Sequence, residues 1–276
     1  MLEVRGLVKR FKTPVVQGVD LDVGAGEIVG LLGPNGAGKT TTFRMTMGMY
    51  RPDAGAVRFL GHEVTRWPLY KRARVGMGYL AQEHSVFRDL SVAQNLLVVL
   101  ERLSLRRGER KRRCAALLDE YGLSHTREQP ARTLSGGQMR RLEIARALIT
   151  EPRLMLFDEP FAGVDPIAVG DIQEIVYGLR EQGIAVFITD HDARQILTTS
   201  DRVYLMYEGR VVVSGAPRDI LASEMARRVY LGESFKLDLD AEPPKRAPGA
   251  HGGGASGSNE PGAGSIETTA SADQGS

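Results

Sequence analysis

A glycine-rich run made of Gly33, Pro34, Asn35, Gly36, Ala37, Gly38, Lys39, Thr40 and Thr41 fits the phosphate-binding pattern G-x-x-x-x-G-K-[ST]. Glycines let successive backbone N–H groups turn inward around an anion, and a helix starting there adds its positive dipole end. In this pattern Lys39 reaches the β- and γ-phosphates and the Thr40 hydroxyl binds Mg²⁺. Far downstream, Asp158 and Glu159 close the apolar run from Arg153 to Phe157. A carboxylate pair at the C-terminal end of a parallel strand stands where ligands bind in open α/β sheets. Asp158 is expected to hold Mg²⁺ through water, and Glu159 to orient and deprotonate an attacking water. His191 follows a further apolar run, Ile184 to Thr189, and so falls on the same sheet edge. It reads as a donor to the γ-phosphate, as a residue that positions Glu159, or as structural. These residues point to nucleotide binding and phosphoryl-transfer chemistry.

The elements that position them are readable from apolar pattern and punctuation. Glu27 to Leu32 reads as a buried parallel strand ahead of the glycine loop, and Thr40 to Met47 as the start of a helix. Upstream, Leu2 to Val8 and Val15 to Val23 are strand-like. Phe11 lies between them and can either stack on a nucleobase or pack on the sheet. Ala56 to Leu60 and Val75 to Leu80 read as strands, the second leading to Gln82. From Ser91 the pattern turns helical. Ser91 and Gln94 have capping-box spacing, followed by Leu96, Leu97 and Leu100. Residues 88 to 133 read as an all-helical insertion, and the six basic residues between Arg106 and Arg113 most simply as a solvated helix face, with a role near anionic lipid headgroups as the alternative. Ser135 and Gln138 repeat the capping-box spacing before a helix with apolar Leu142, Ala145, Leu148 and Ile149. Spacing leaves two readings of Ser135 to Gln138: a capped helix and no more, or a second anion site made from two bare glycines at a helix start. Pro166 suits a helix start. Val203 to Met206 and Val211 to Ser214 read as a hairpin around Gly209, and Pro217 to Leu231 as a terminal helical stretch. From about residue 241 to 276 the composition falls to Gly, Ser, Ala and Pro, which reads as a disordered tail.

Composition narrows the class. With 42% hydrophobic residues the 276-residue chain can bury a core. Its 36 basic and 34 acidic side chains leave a net charge of +2, too balanced to argue for nucleic acid. A single cysteine, Cys114, excludes an internal disulfide framework and suits a reducing cytosol. The start at Met1 carries no basic-then-apolar leader, and no apolar run approaches the ~18 residues of a membrane span. Any membrane association is therefore expected through a partner.

Together these residues resemble the ATP-binding subunit of ABC transporters over roughly residues 2 to 237. The run 134–138 (Leu134, Ser135, Gly136, Gly137, Gln138), set between Gln82 upstream and Asp158 and Glu159 downstream, is far more specific than the phosphate loop alone. The resemblance implies a P-loop α/β core with an N-terminal antiparallel β-subdomain and a helical subdomain insertion. It makes Gln82 the Q-loop glutamine, beside Mg²⁺ with Thr40 and Asp158. By the same resemblance Glu159 is the catalytic carboxylate, Asp165 the D-loop aspartate and His191 the switch histidine. Phe11 falls where the family places an adenine-stacking aromatic, usually Tyr. The family pairs two subunits head to tail, so Ser135, Gly136, Gly137 and Gln138 are expected to touch the ATP held by a partner chain. With one copy of each motif, the chain is expected to form a homodimer hydrolysing MgATP.

Within that family the phrases Phe161 to Asp165 and Thr189 to His191 resemble the lipopolysaccharide-export ATPases of Gram-negative bacteria. This implies membrane subunits resembling LptF and LptG at the cytoplasmic face of the inner membrane, docking in a groove near Gln82 to Leu90, with Phe87 and Arg88 as its candidates. Two places depart from those relatives: Ala81 precedes Gln82 where Pro is usual, and the tail after Leu239 has no counterpart. A branched-chain amino-acid importer subunit shares the short terminal helix. A soluble ABC ATPase of repair or translation has two cassettes or a long coiled-coil insertion, and this chain has neither. An ATP-binding scaffold without turnover sits poorly with intact Lys39, Glu159 and His191.

Overall fold

The computed structural model describes residues 1–239, so the expectation for the tail at 241–276 lies outside the described residues. Three apolar runs form the centre. Ile28–Leu32 (β3), Leu154–Asp158 (β7) and Ala185–Thr189 (β8) are buried along their whole length, as strands covered on both faces must be. Met77–Leu80 (β6), Arg202–Tyr207 (β9) and Arg210–Gly215 (β10) complete a six-stranded sheet of order β10-β9-β3-β8-β7-β6. All its pairs are parallel except the β9–β10 hairpin. That hairpin turns through Glu208 and Gly209, both at positive φ (47° and 78°), the conformation of a type I′ turn. A second, four-stranded antiparallel sheet has the order β2-β1-β4-β5, from Leu2–Arg10 (β1), Pro14–Val23 (β2), Ala54–Phe59 (β4) and His62–Glu63 (β5).

Strand alternation divides the core in two. Ile28 and Leu32 join one apolar cluster, with Leu96, Leu142, Ile172 and other helix residues. Val29 and Leu31 join the other, with Val4, Leu21 and Val57 of the antiparallel sheet. The helix Lys39–Met47 (α1) lies in this second cluster through Phe43, Met45 and Met47, and Phe43 stacks on Phe187 with ring centroids 4.5 Å apart.

Between β6 and β7 the chain is helical: Val92–Leu100 (α3) and Arg107–Glu120 (α4) lead to Gly136–Leu148 (α5). The short helix Leu69–Arg74 (α2) precedes β6. Pro166–Glu181 (α6) and Ala193–Thr199 (α7) flank β8 in sequence. The terminal stretch is not one helix. Ser223 leaves the helical region (φ −74°, ψ 120°) and its hydroxyl caps a restart by accepting from the Ala226 N–H. Pro217–Ala222, Glu224–Ala226 and a wider π turn, Arg227–Leu231, result.

Register then sets the site. Leu31 of β3 lies opposite Thr189 of β8, and Thr189 opposite Asp158 of β7. Leu80 of β6 lies opposite Phe157. Four strand ends therefore stand side by side, and the residues just beyond them share one edge.

Candidate nucleotide site

The glycine loop is shaped by close backbone approach. Gly33 and Gly38 have φ of 149° and 99°. A Cβ on Gly33 would lie 2.2 Å from the Met206 carbonyl oxygen, and one on Gly38 2.6 Å from that of Val15. The loop is thus seated on both sheets, and only glycine fits. Gly38 caps α1 without a side chain, so no side-chain oxygen occupies the first-turn amides of Lys39, Thr40 and Thr41, which suits an anion. The buried Lys39 ammonium donates to the carbonyls of Gly33 (2.6 Å) and Pro34 (3.1 Å). Burial holds its pKa below the ordinary lysine value, against the raising pull of Glu159 and Asp190. Asn35, Gly36 and Ala37 complete the turn, with the Ala37 N–H donating to Pro34 (3.1 Å).

The acidic edge faces this loop. Asp158 is 2% exposed, and burial raises its pKa. Its Oδ2 accepts the Tyr79 hydroxyl at 3.1 Å, while its buried Oδ1 has no partner among the described residues. Glu159 adopts φ 48°, a left-handed conformation that carries strain for a non-glycine residue. Its N–H donates to the Thr189 carbonyl (2.8 Å) and its Oε2 accepts from Gln82 Nε2 (2.9 Å). His191 Nδ1 stands 3.7 Å from the same Oε2 and 3.1 Å from Asp190 Oδ1. Asp190 is fully buried and held by the N–H groups of Phe161 (3.2 Å) and Asp192 (3.1 Å). Lys39, Gln82, Asp158, Glu159 and His191, scattered along the sequence, are thereby brought to one edge.

The donor set fits a hard cation. The orphaned Asp158 oxygen and the half-buried Thr40 hydroxyl are oxygen ligands of the kind Mg²⁺ takes, completed by water and phosphate. No cluster of three His, Cys, Asp or Glu side chains suited to a metal occurs among the described residues. Gln82 is tied to Glu159 in this arrangement.

Ser135 and Gln138 bond to each other and to His125 rather than to the loop. Ser135 Oγ accepts from the Gln138 N–H (3.3 Å), Gln138 Oε1 from the Ser135 N–H (3.0 Å), and Gln138 Nε2 meets His125 Nε2 at 3.3 Å. No hydrogen bond among the described residues joins them to 33–41. Gly137 is buried against α6, where an added Cβ would stand 2.5 Å from that of Ala168. Asp165 caps α6 by accepting from the Ala168 N–H (3.0 Å), with Pro166 at the first helical position.

A family model described as ABC transporter matches residues 16–162. The chain belongs to the ABC transporter family. It is 52% identical over 233 residues to a "Probable ABC transporter ATP-binding protein" of Azorhizobium caulinodans, covering 84% of this chain and 83% of that one. It is 48% identical to the "Lipopolysaccharide export system ATP-binding protein LptB" of Acidithiobacillus ferridurans, over 86% of this chain and 99% of that one. Among solved structures it is similar to the ADP conformation of MJ1267, an ATP-binding cassette of an ABC transporter, with a TM-score of 0.75, 28% identity and coverage of 84% and 99%. A dimeric cassette, MJ0796 bound to ADP and Pi, matches with a TM-score of 0.71 and 25% identity over 79% of this chain and 99% of that one. The P-loop α/β fold with its added antiparallel sheet and helices is that of an ABC cassette, and the protein is the ATP-hydrolysing subunit of an ABC transporter.

Four residues of this ABC ATPase escape a sequence reading. Arg140 of α5 is 3% exposed and donates to the carbonyls of Ala81 (2.7 Å), Asp158 (3.4 Å), Glu159 (3.3 Å) and Pro160 (3.3 Å), and to Glu143 Oε2 (3.1 Å). Glu143, 1% exposed, also accepts from the Ser85 N–H (2.7 Å) and lies 3.4 Å from His84 Nδ1. The helix behind Ser135 is thus bolted to the loops carrying Gln82 and Glu159. The available signal is that Arg140 and Glu143 stand on the same helix stripe as Met139 and Leu142. Tyr79 grips Asp158. Tyr230, buried enough to push its pKa up to about 12, donates to the His191 carbonyl (2.9 Å). Phe11 is half-exposed, edge-on to Tyr50 at 5.7 Å between centroids, with Lys9 Nζ 5.5 Å from its ring. Phe87 is 50% exposed under the Arg146 guanidinium, its backbone held on both sides by Asn95, and Arg88 beside it is exposed.

Proposed function

We propose that this ATPase powers lipopolysaccharide export, working as a homodimer with membrane subunits resembling LptF and LptG. The observation that carries the reading is the full-length likeness to LptB, 48% identical over 99% of the Acidithiobacillus ferridurans protein and 47% over 99% of that from Haemophilus influenzae. Phe87 and Arg88, exposed beside the Gln82 loop, are the proposed docking residues. No helix among the described residues is long and apolar enough to cross a membrane. Attachment at the cytoplasmic face of the inner membrane then runs through those subunits.

The chemistry is in-line attack of water on the γ-phosphate. Phe11 stacks on adenine. The loop amides from Gly33 to Thr41 bind the phosphates, and Lys39 exchanges its two loop carbonyls for phosphate oxygens. Thr40 and Asp158, with Gln82 nearby, would hold Mg²⁺, which when bound would neutralise charge on those oxygens. Glu159 orients the water and takes its proton, and His191 steadies Glu159 and the γ-phosphate. Ser135, Gly136, Gly137 and Gln138 close the site from the second protomer. The lack of any hydrogen bond between them and the loop of their own chain among the described residues, the 84% exposure of Ile167 beside Asp165, and the dimeric MJ0796 relative support that pairing.

The test is a tagged pull-down from detergent-solubilised inner membranes of the native host, with partners identified by mass spectrometry. Recovery of subunits resembling LptF and LptG supports lipopolysaccharide as cargo. Recovery of amino-acid permease subunits instead sinks the export reading and leaves the ATPase assignment standing.

A further inference from the structure

The two oxygens of Asp158 are treated differently by the fold. Oδ2 accepts the Tyr79 hydroxyl at 3.1 Å, and Oδ1 is buried with no partner among the described residues. Tyr79 is placed for this by register: it lies opposite Leu156 on the neighbouring strand and reaches along the edge to the carboxylate two residues on. Its ring packs against the apolar cluster beneath the antiparallel sheet, so the hydroxyl has little freedom to wander. The carboxylate torsion of an aspartate is broad and roughly two-fold. A single fixed donor on one oxygen removes that freedom.

We propose that Tyr79 is a positioning residue for the metal: its hydroxyl holds the Asp158 carboxylate through Oδ2 and leaves Oδ1 as the oxygen that would serve Mg²⁺. The proposal rests on the reading of Asp158 as the metal-side carboxylate. Arg44 of α1 supports the arrangement from the glycine-loop side. It donates to the Tyr50 hydroxyl at 3.0 Å and lies near enough to interact electrostatically with both Asp158 and Tyr79. Tyr50 in turn meets Phe11. Phe11, Tyr50 and Arg44 thus form a run of contacts, and the Arg44 charge acts on Asp158 and Tyr79 through space.

The experiment is titration calorimetry of ADP into the full chain, in EDTA and across a Mg²⁺ series, together with the EPR signal of Mn²⁺ bound with ADP. Wild type, Tyr79→Phe and Asp158→Asn are compared. Outer-shell partners of metal ligands contribute roughly 10- to 100-fold to metal affinity. Tyr79→Phe keeps the packed ring, so ADP affinity in EDTA stays at the wild-type value. The Mg²⁺ concentration that half-saturates the metal-dependent gain in ADP affinity rises about 10- to 100-fold, high Mg²⁺ restores binding, and the Mn²⁺ spectrum broadens. A Tyr79→Phe chain with wild-type Mg²⁺ dependence, beside an Asp158→Asn chain that has lost it, overturns the role of Tyr79 and leaves Asp158 in place. Loss of ADP affinity already in EDTA marks Tyr79 as structural and overturns it too. Wild-type Mg²⁺ dependence in Asp158→Asn overturns the reading on which the proposal rests.

Discussion

Arg140→Met is the most informative perturbation of the scaffold. The guanidinium and the Glu143 carboxylate are 3% and 1% exposed, and removing one partner of such a buried pair costs about 3–5 kcal/mol, chiefly because a charge is left uncompensated. Here Glu143 keeps the Ser85 N–H at 2.7 Å, which puts the expected cost near the lower end, at about 3 kcal/mol. In a domain of this size about 1 kcal/mol corresponds to roughly 2–4 °C, so Tm falls by about 6–12 °C. The assay is thermal and urea unfolding of the full chain followed by far-UV circular dichroism, for Arg140→Met, Glu143→Leu and the double variant. The double variant is expected to be more stable than the sum of the singles by about 0.5–3 kcal/mol, because it leaves no lone buried charge. Raising the salt to 1 M should leave the coupling intact, since buried pairs are screened far less than exposed ones. A single variant within about 0.5 kcal/mol of wild type, or strictly additive losses, would refute the argument that this pair bolts α5 to the two loops.

Two further outcomes are expected. Glu159→Gln keeps the side-chain size and should bind ATP at near wild-type affinity, with steady-state hydrolysis falling about 10²–10⁴-fold; turnover near the wild-type rate removes Glu159 from its role. Glu27 accepts from Arg202 Nε (2.8 Å) and Nη2 (3.0 Å) and from the Gly24 N–H (2.6 Å). Burial raises its pKa, but these hydrogen bonds outweigh burial and leave it below the ordinary glutamate value. A carboxyl depressed in the folded state stabilises fully above its unfolded pKa of about 4.3, and that share is lost as pH falls through the folded value. The stability gap between wild type and Glu27→Gln, measured by urea unfolding, should therefore close on acidification below about pH 4. A gap that stays constant or widens contradicts the linkage.

The sequence carried the phosphate loop almost completely, because strand, loop and helix are contiguous and each has its own short-range signature. Asp158 and Glu159 were legible for a similar reason, as carboxylates ending an apolar strand. The capping boxes at Ser91 and Ser135 also stand as read, with both reciprocal bonds present. Arg140 and Glu143 were not legible as a buried pair. Their partners are mainly backbone groups of distant loops, and their place on the apolar stripe of α5 hints at burial without saying which carbonyls the guanidinium meets. The break at Ser223 was missed because the apolar pattern continues across it, whereas the hydroxyl restarts the helix locally. Nothing in the sequence singles out Tyr79 or Tyr230, since what each does lies in where one hydroxyl lands.

The position of β3 also bears on synthesis of the chain. Its hydrogen-bonded neighbours, β8 and β9, begin only at Ala185 and Arg202. A ribosome adding roughly 5–20 residues per second needs on the order of 10–30 s to travel from Leu32 to Ala185. For that interval an apolar strand is out of the exit tunnel with both edges open, a template for wrong pairing. The antiparallel sheet closes earlier, since β1, β2 and β4 all lie before residue 60. It can cover Val29 and Leu31 while Ile28 and Leu32 wait for helices not yet made. The phosphate loop is thus among the first pieces translated, and the acidic edge opposite it, Asp158 and Glu159, arrives more than a hundred residues later.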